Sequence, residues 1–395
     1  MSTYTMNAPV EQETRTTGPV LIVGAGPAGL AAAAELARLG VPATVLERSD
    51  AVASSWRGRY DRLRLHSPRL TAALPGSRFP KGTALFPTRD QVVGYLEGYA
   101  EQRGLDVRFG VRVDRIDPGD GGWHLTTSVG QLAAREVIIA TGFAHTPRLP
   151  DWPGRDRFPG RLLHSASYRN PEEFRGADVL VVGPGCSGME IAYDLAQGGA
   201  SRVRIAVRTQ PNIMLRQAGG LPGDLPAMVM ELLPTRMADA QAKLVRRLTV
   251  GDLSQWGLTP PEEGIFARIE RERKAPAIVD PEALQAIRAG ELEIVAGVAS
   301  VDETGVRLAD GTTLQPDAII AATGYTSGLE PVVGHLGVLR ANGVPHVHGG
   351  PAVAPGLRFI GYTPRPSQIG RVGYDARRAA RKIKREIAAS RRTSK

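Results

Sequence analysis

Two glycine-rich turns carry the chemistry that this chain can do. Val20-Leu-Ile-Val runs into Gly24-Ala-Gly26-Pro-Ala28-Gly29, and 159 residues later Val179-Leu-Val-Val runs into Gly183-Pro-Gly185-Cys-Ser187-Gly188. In each copy an apolar strand leads through GxGxxG into a helix, Ala31 to Leu39 or Met189 to Gln197. The glycines allow a tight turn and the close approach of a pyrophosphate, whose charge the free N–H groups of the helix N-terminus then meet. One such motif is a weak signal. Two, each after a β-branched strand, predict two bound dinucleotides.

The residue that closes the next strand tells the two sites apart. Ala43-Thr-Val-Leu ends in Glu47, a carboxylate able to accept both ribose hydroxyls of an adenosine without a 2′-phosphate, as in FAD or NAD, with Arg48 beside it. Val203-Arg-Ile-Ala-Val ends in Arg208 and Thr209, a cation and a hydroxyl suited to the 2′-phosphate of NADPH. Cys186 stands inside the second turn, where its small size is the preferred explanation for it; the helix N-terminus there is the alternative reason, since it favours negative charge on sulfur.

Positioning these groups requires a particular chain course. Two further apolar strands end in Ala-Thr-Gly, at Thr141-Gly142 and Thr323-Gly324, and bracket the second unit. Small residues there let the backbone cross close to a nucleotide. The expected fold is therefore α/β, with two Rossmann-like dinucleotide-binding domains and the NADPH domain inserted into the FAD domain. The expected divisions are a disordered leader over residues 1–16, an FAD domain over 17–157 and 325–388, and a linker over 158–169. An NADPH domain over 170–324, with a helical insertion at about 214–269, and a basic tail over 389–395 complete them. Pro153, Gly154, Pro159 and Gly160 mark the linker as irregular.

Composition sets the outer limits. With 395 residues, 42% hydrophobic and 23% charged, the chain buries a sizeable core and is neither disordered nor collagen-like. A single cysteine excludes an internal disulfide, a cysteine-based zinc site and a CxxC redox pair, so a cytoplasmic setting is expected. No metal site is expected either. The longest apolar stretch, Pro19 to Gly40, is interrupted by Glu35 and Arg38 and does not read as a membrane span. Of the net charge of +9, +8 falls between Arg371 and Lys395. With no aromatic residue after Tyr374, this reads as the solvated face of a terminal helix and not as a nucleic-acid surface.

The segment Phe158-Pro-Gly160-Arg-Leu-Leu-His164-Ser-Ala-Ser-Tyr168 matches FxGxxxHxxxY in full. Together with the two GxGxxG units and stretches such as Ser55-Trp56-Arg-Gly-Arg-Tyr and Gly356-Leu-Arg-Phe-Ile-Gly361-Tyr, it resembles the flavin-containing monooxygenases, class B flavoprotein monooxygenases. Within them the chain is most like the bacterial relatives of the plant YUCCA enzymes. The resemblance spans Val20 to about Ile387 and brings Trp56 and Gly361 into the expected cofactor set. It implies that NADPH reduces FAD and that the reduced flavin traps O2 at C4a to oxygenate a small organic substrate. It also places His66 near the flavin as a candidate hydrogen-bonding residue. His164 reads as a linker or cofactor-orienting residue, and His346 and His348 as structural.

Substrate chemistry stays open at this point among amine N- or S-oxygenation and oxidative decarboxylation of an α-keto acid. Tyr168-Arg169 replaces the pair usual in Baeyer–Villiger enzymes, which argues against ketone oxidation as the first choice. An NADPH-dependent electron-transfer reductase is the alternative of a different class. The oligomeric state is left open.

Overall fold

Val20–Val23 is apolar on both faces and fully buried, as a central strand of a parallel sheet must be. In the computed structural model, which describes residues 18–272, 277–362 and 365–393, it lies inside a six-stranded sheet. Across that sheet the order is Ala352–Ala354, Leu357–Phe359, Glu136–Ile139, Val20–Val23, Ala43–Leu46 and Asp106–Arg108. All pairs are parallel except the first. The helix Pro27–Arg38 covers one face and is itself roofed by the long helix Gln368–Thr393. Its run of alanines permits this close approach, and Leu30 and Leu36 are fully buried. Each such leucine contributes about 1.5–3 kcal/mol of burial.

A second sheet is built wholly from the intervening chain. Its order is Glu293–Ala296, Arg202–Val207, Asp178–Val182, Ala318–Ala321 and Arg161–His164, all parallel. The first sheet takes strands from both sides of this segment, so the second Rossmann-like unit is inserted into the first. The two connections run side by side, with Tyr325–Thr326 antiparallel to Thr146–Pro147.

Two local expectations are corrected. The supposedly irregular stretch 158–169 contributes Arg161–His164 as an edge strand of the second sheet, because Leu162 and Leu163 find partners in Ile319 and Ile320. Residues 389–393, expected as part of a basic tail, continue the last helix to Thr393. No glycine or proline interrupts it there, and the Ser390 hydroxyl meets Arg135. The leader lies outside the described residues.

The stretch 214–269 contains the helices Asp224–Met230 and Thr235–Thr249 and most of Ile265–Glu272. Asp224 fixes it to the start of the last helix, accepting from the Ser367 N–H at 2.9 Å and hydroxyl at 2.7 Å. Arg371 adds an ion pair to Glu231. Arg377 reaches buried Glu35 at 3.1 Å and, with Tyr374, Arg378, Arg381, Lys382 and Arg385, borders an open depression. No described helix is long and apolar enough to cross a membrane.

Candidate active site: two dinucleotide cradles and the groups between them

The two glycine turns have matching geometry. Gly24 and Gly183 adopt φ of +104° and +114°, where a side chain would be strained and would meet the carbonyl of Ala140 at 3.0 Å or of Ala322 at 2.6 Å. At Gly29 and Gly188 a methyl group would fall 1.9 and 1.8 Å from the carbonyl oxygens of Gly24 and Gly183, so only glycine lets the helix pack on its turn. Around Gly26 and Gly185, by contrast, no atom beyond the adjoining residues lies within 4 Å of where a side chain would stand. These two open positions are the helix N-caps, with no side chain capping either helix. Free N–H groups beside open space fit a pyrophosphate at both turns.

The Ala-Thr-Gly segments abut these turns, Ala140-Thr141 against Gly24 and Ala322 against Gly183. Thr141 hydrogen-bonds the Tyr362 hydroxyl at 2.7 Å, and a methyl group at Gly361 would lie 3.1 Å from the Ala28 Cβ, so the returning chain closes on the first helix. Gly142 and Gly324 both take left-handed φ with open space beside them. Thr323 instead donates to the Arg148 carbonyl, holding the two connections together.

Glu47 is buried and already employed. Its oxygens accept from Ala25 N–H at 2.8 Å, Ser49 N–H at 3.0 Å and the Ser54 hydroxyl at 3.3 Å. A carboxylate offers about four acceptor positions, which leaves room for one ribose hydroxyl without rearrangement. Arg48 is exposed just beyond it, and Trp56 is half-buried against the first core. Arg208 and Thr209 are exposed at the end of Arg202–Val207. Among the described residues Arg208 has no acidic partner within salt-bridge distance.

The FxGxxxHxxxY residues form a clamp. The Phe158 ring lies over Gly160, where a methyl group would come within 2.7 Å of it. His164 Nδ1 accepts from Ala166 N–H at 3.0 Å, so Nε2 is the protonated nitrogen and donates to the Gly324 carbonyl at 3.0 Å. Burial holds its pKa below the usual histidine value. Tyr168 is 1% exposed and donates to Asp194 at 2.8 Å. The motif thus ties the linker to the second unit and to the returning connection.

His66 is not a free loop histidine. It reaches across to the second unit, where Nε2 meets Glu190 Oε1 at 2.7 Å, and the Tyr60 hydroxyl donates to Glu190 Oε2 at 2.7 Å. Ser187 also hydrogen-bonds Tyr60. Burial alone would raise the Glu190 pKa, but the hydrogen bond and charge of His66, with the Tyr60 hydrogen bond and the Arg216 charge, outweigh it and hold the carboxylate below its usual range. Burial likewise opposes charge on His66, and Cys186 and Glu190 together more than offset it, raising its pKa well above the ordinary value. Burial, reinforced by Glu190, drives Tyr60 upward.

Sequence reasoning named neither Glu190 nor Tyr60. The available signal was a carboxylate within the apolar run Met189, Ile191 and Ala192, on the phase that the helix buries.

Two cradles of this kind, one built on each half of a divided chain, define an oxidoreductase that pairs a flavin dinucleotide with a pyridine dinucleotide. Comparison with known proteins narrows the class. A family model for pyridine nucleotide-disulphide oxidoreductases matches residues 21–216. With one cysteine, however, this chain lacks the dithiol that disulfide chemistry requires. The chain is 40% identical to indole-3-pyruvate monooxygenase YUCCA1 of Oryza sativa subsp. japonica, over 82% of this chain and 80% of that one. It is 36% identical to the probable indole-3-pyruvate monooxygenase YUCCA7 of Arabidopsis thaliana, over 88% and 83%. Among solved structures, the flavin-containing monooxygenase from Stenotrophomonas maltophilia superposes with a TM-score of 0.72 at 25% identity, covering 94% of this chain and 99% of that one. The chain belongs to the flavin-containing monooxygenase family, on the side of the YUCCA enzymes. It is an NADPH-dependent FAD monooxygenase acting on a small molecule.

Proposed function

We propose that the protein oxidatively decarboxylates an arylpyruvate, indole-3-pyruvate being the first candidate. The observation that carries this reading is the 40% identity, across 82% of the chain, to an enzyme named for that substrate. In this reaction the 2-oxo acid, O2, NADPH and a proton give the acid one carbon shorter, CO2, water and NADP+. Bound FAD supplies the hydride-accepting and oxygen-activating chemistry.

The chain's own residues bind, orient and enclose. Gly24, Gly26, Ala28, Gly29 and Glu47 would hold the FAD pyrophosphate and ribose, with Arg48, Trp56, Thr141, Gly142 and Gly361 around them. Gly183, Gly185, Ser187, Gly188, Arg208 and Thr209 would hold NADPH, and Thr323 and Gly324 would line its side of the crossing. His66, fixed by Glu190, would present a positive charge between the two sites. His164 and Tyr168 would keep the linker closed so that water is excluded while oxygen is transferred. On this reading residues 17–157 and 325–388 form the FAD-binding domain and 170–324 the NADPH-binding domain. A cytoplasmic setting belongs to the proposal.

The test is stoichiometry. Purified FAD-loaded protein with NADPH and indole-3-pyruvate is expected to consume NADPH and O2 and release CO2 in equal amounts. NADPH consumption stimulated only by an amine, a sulfide or a ketone would assign another oxygenation. Stimulation only by an electron-carrier protein would assign a reductase.

A further inference from the structure

One group of reactive side chains exists only because the two units meet. Cys186, the single thiol of the chain, is the first residue of the helix Cys186–Gln197 and is half-buried, with its Sγ accepting the Ile278 N–H at 3.2 Å. His66, from the other unit, hydrogen-bonds this thiol and also contacts Glu190 Oε1 at 2.7 Å. Glu190 lies one helical turn beyond Cys186, with its side chain only 2% exposed, and Tyr60 takes its second oxygen at 2.7 Å.

Nucleophile, imidazole and orienting carboxylate within successive hydrogen-bond reach are the arrangement that activates a thiol. Cys186 and Glu190 both face the imidazole and together raise its pKa well above the ordinary value, and the helix that Cys186 opens has no side-chain cap at its N-terminus. The nearby Arg216 and Asp280 pair with each other at 2.5 Å and largely cancel.

We propose that Cys186 is a reactive thiol that hydroperoxides oxidise, with the help of the His66–Glu190 pair, to a sulfenic acid that closes the adjoining glycine turn to its dinucleotide. The Cys186 thiolate attacks one oxygen of the peroxide. An S–O bond forms as the O–O bond breaks, sulfur gives up two electrons, and the departing hydroxide or alkoxide takes the His66 proton and leaves as water or an alcohol. Cys186 directly follows Gly185, beside which the approach to the turn is open. The closing of the site rests on the assignment of this turn to NADPH, whereas the reactivity of the thiol does not.

The test measures alkylation of Cys186 by iodoacetamide at pH 7, followed by intact-mass spectrometry on the FAD-loaded protein, with the urea-unfolded chain as reference. Wild-type protein is expected to react about ten-fold faster than the unfolded chain, and His66→Asn to lose that advantage. Saturating NADP+ is expected to slow labelling. Hydrogen peroxide is expected to produce a dimedone-reactive adduct on Cys186 and to abolish NADP+ binding until dithiothreitol restores it. Circular dichroism of His66→Asn separates lost activation from lost folding, and Glu190→Gln, if folded, is expected to fall between the two. Labelling no faster than in the unfolded chain, or unchanged in folded His66→Asn, overturns the proposal. So does a reactive thiol that NADP+ neither protects nor loses to oxidation. Failure of the oxygenation reading shows instead in the turnover assay and leaves these labelling rates untouched.

Discussion

Arg208→Ala is expected to weaken NADPH much more than NADH. Arg208 is exposed one residue beyond the strand Arg202–Val207, and its Cα is held so near Gly297 that a methyl group there would lie 2.8 Å away. The neighbouring cations are engaged: Arg202 pairs with Glu293 at 2.7 Å, Arg216 with Asp280 at 2.5 Å, and buried Arg204 faces Asp178. On the proposed assignment, a 2′-phosphate arriving past this strand would therefore meet Arg208 and the Thr209 hydroxyl. Charge-assisted hydrogen bonds contribute about 1.5–3 kcal/mol, equivalent to about 10- to 150-fold in affinity. Solvent at an exposed site puts the effect near the lower end, about ten- to thirty-fold. The assay is anaerobic flavin reduction at varied NADPH and NADH in wild type and variant, with FAD content measured by absorbance. Equal losses for both nucleotides, or no loss for either, would refute the assignment of Arg208 to the phosphate.

Other consequences separate the two cradles from the frame around them. Gly29→Ala would place a methyl group 1.9 Å from the Gly24 carbonyl and is expected to yield protein without flavin. Gly188→Ala, at 1.8 Å from the Gly183 carbonyl, is expected to keep its yellow colour and lose reduction by NADPH. Absorbance and reduction kinetics on the pair check both. Tyr168→Phe removes the 2.8 Å donor to half-buried Asp194 and is expected to cost about 1–3 kcal/mol, lowering Tm without releasing FAD. Burial raises the Glu136 carboxyl to about 7 from 4.5 despite the Arg358 guanidinium at 2.6 Å. The folded state thus keeps a proton that the unfolded chain has released. Its contribution to stability is full below pH 4.5 and is lost as pH rises through about 7, a change on the order of a few kcal/mol. Urea titrations of wild type and Glu136→Gln between pH 4.5 and 8 check this, the variant lacking that part of the slope.

The cradles were legible in the sequence because their physics is local. A positive φ, an open approach and a helix pressed on its own turn fall within six consecutive residues, and no other residue type satisfies Gly24, Gly29, Gly183 and Gly188. The insertion was legible as well, since Ala140-Thr141 and Ala322-Thr323 must be small where the chain passes those turns. His66 and Glu190 are different: 124 residues separate them, and neither lies in a periodic pattern that points to the other. Only the folding of one unit onto the other creates the pair. The edge strand Arg161–His164 escaped notice for a related reason. Four residues next to Pro159 and Gly160 look like a loop until Ala318–Ala321 supplies a partner.

The most direct test of the central claim is the fate of molecular oxygen. FAD-loaded protein, NADPH and indole-3-pyruvate are incubated under 18O2, and the acid product is analysed by mass spectrometry. The account predicts one 18O atom in the new carboxylate, with the second atom of O2 leaving as water. An unlabelled acid, or NADPH consumption with no acid formed, would contradict it.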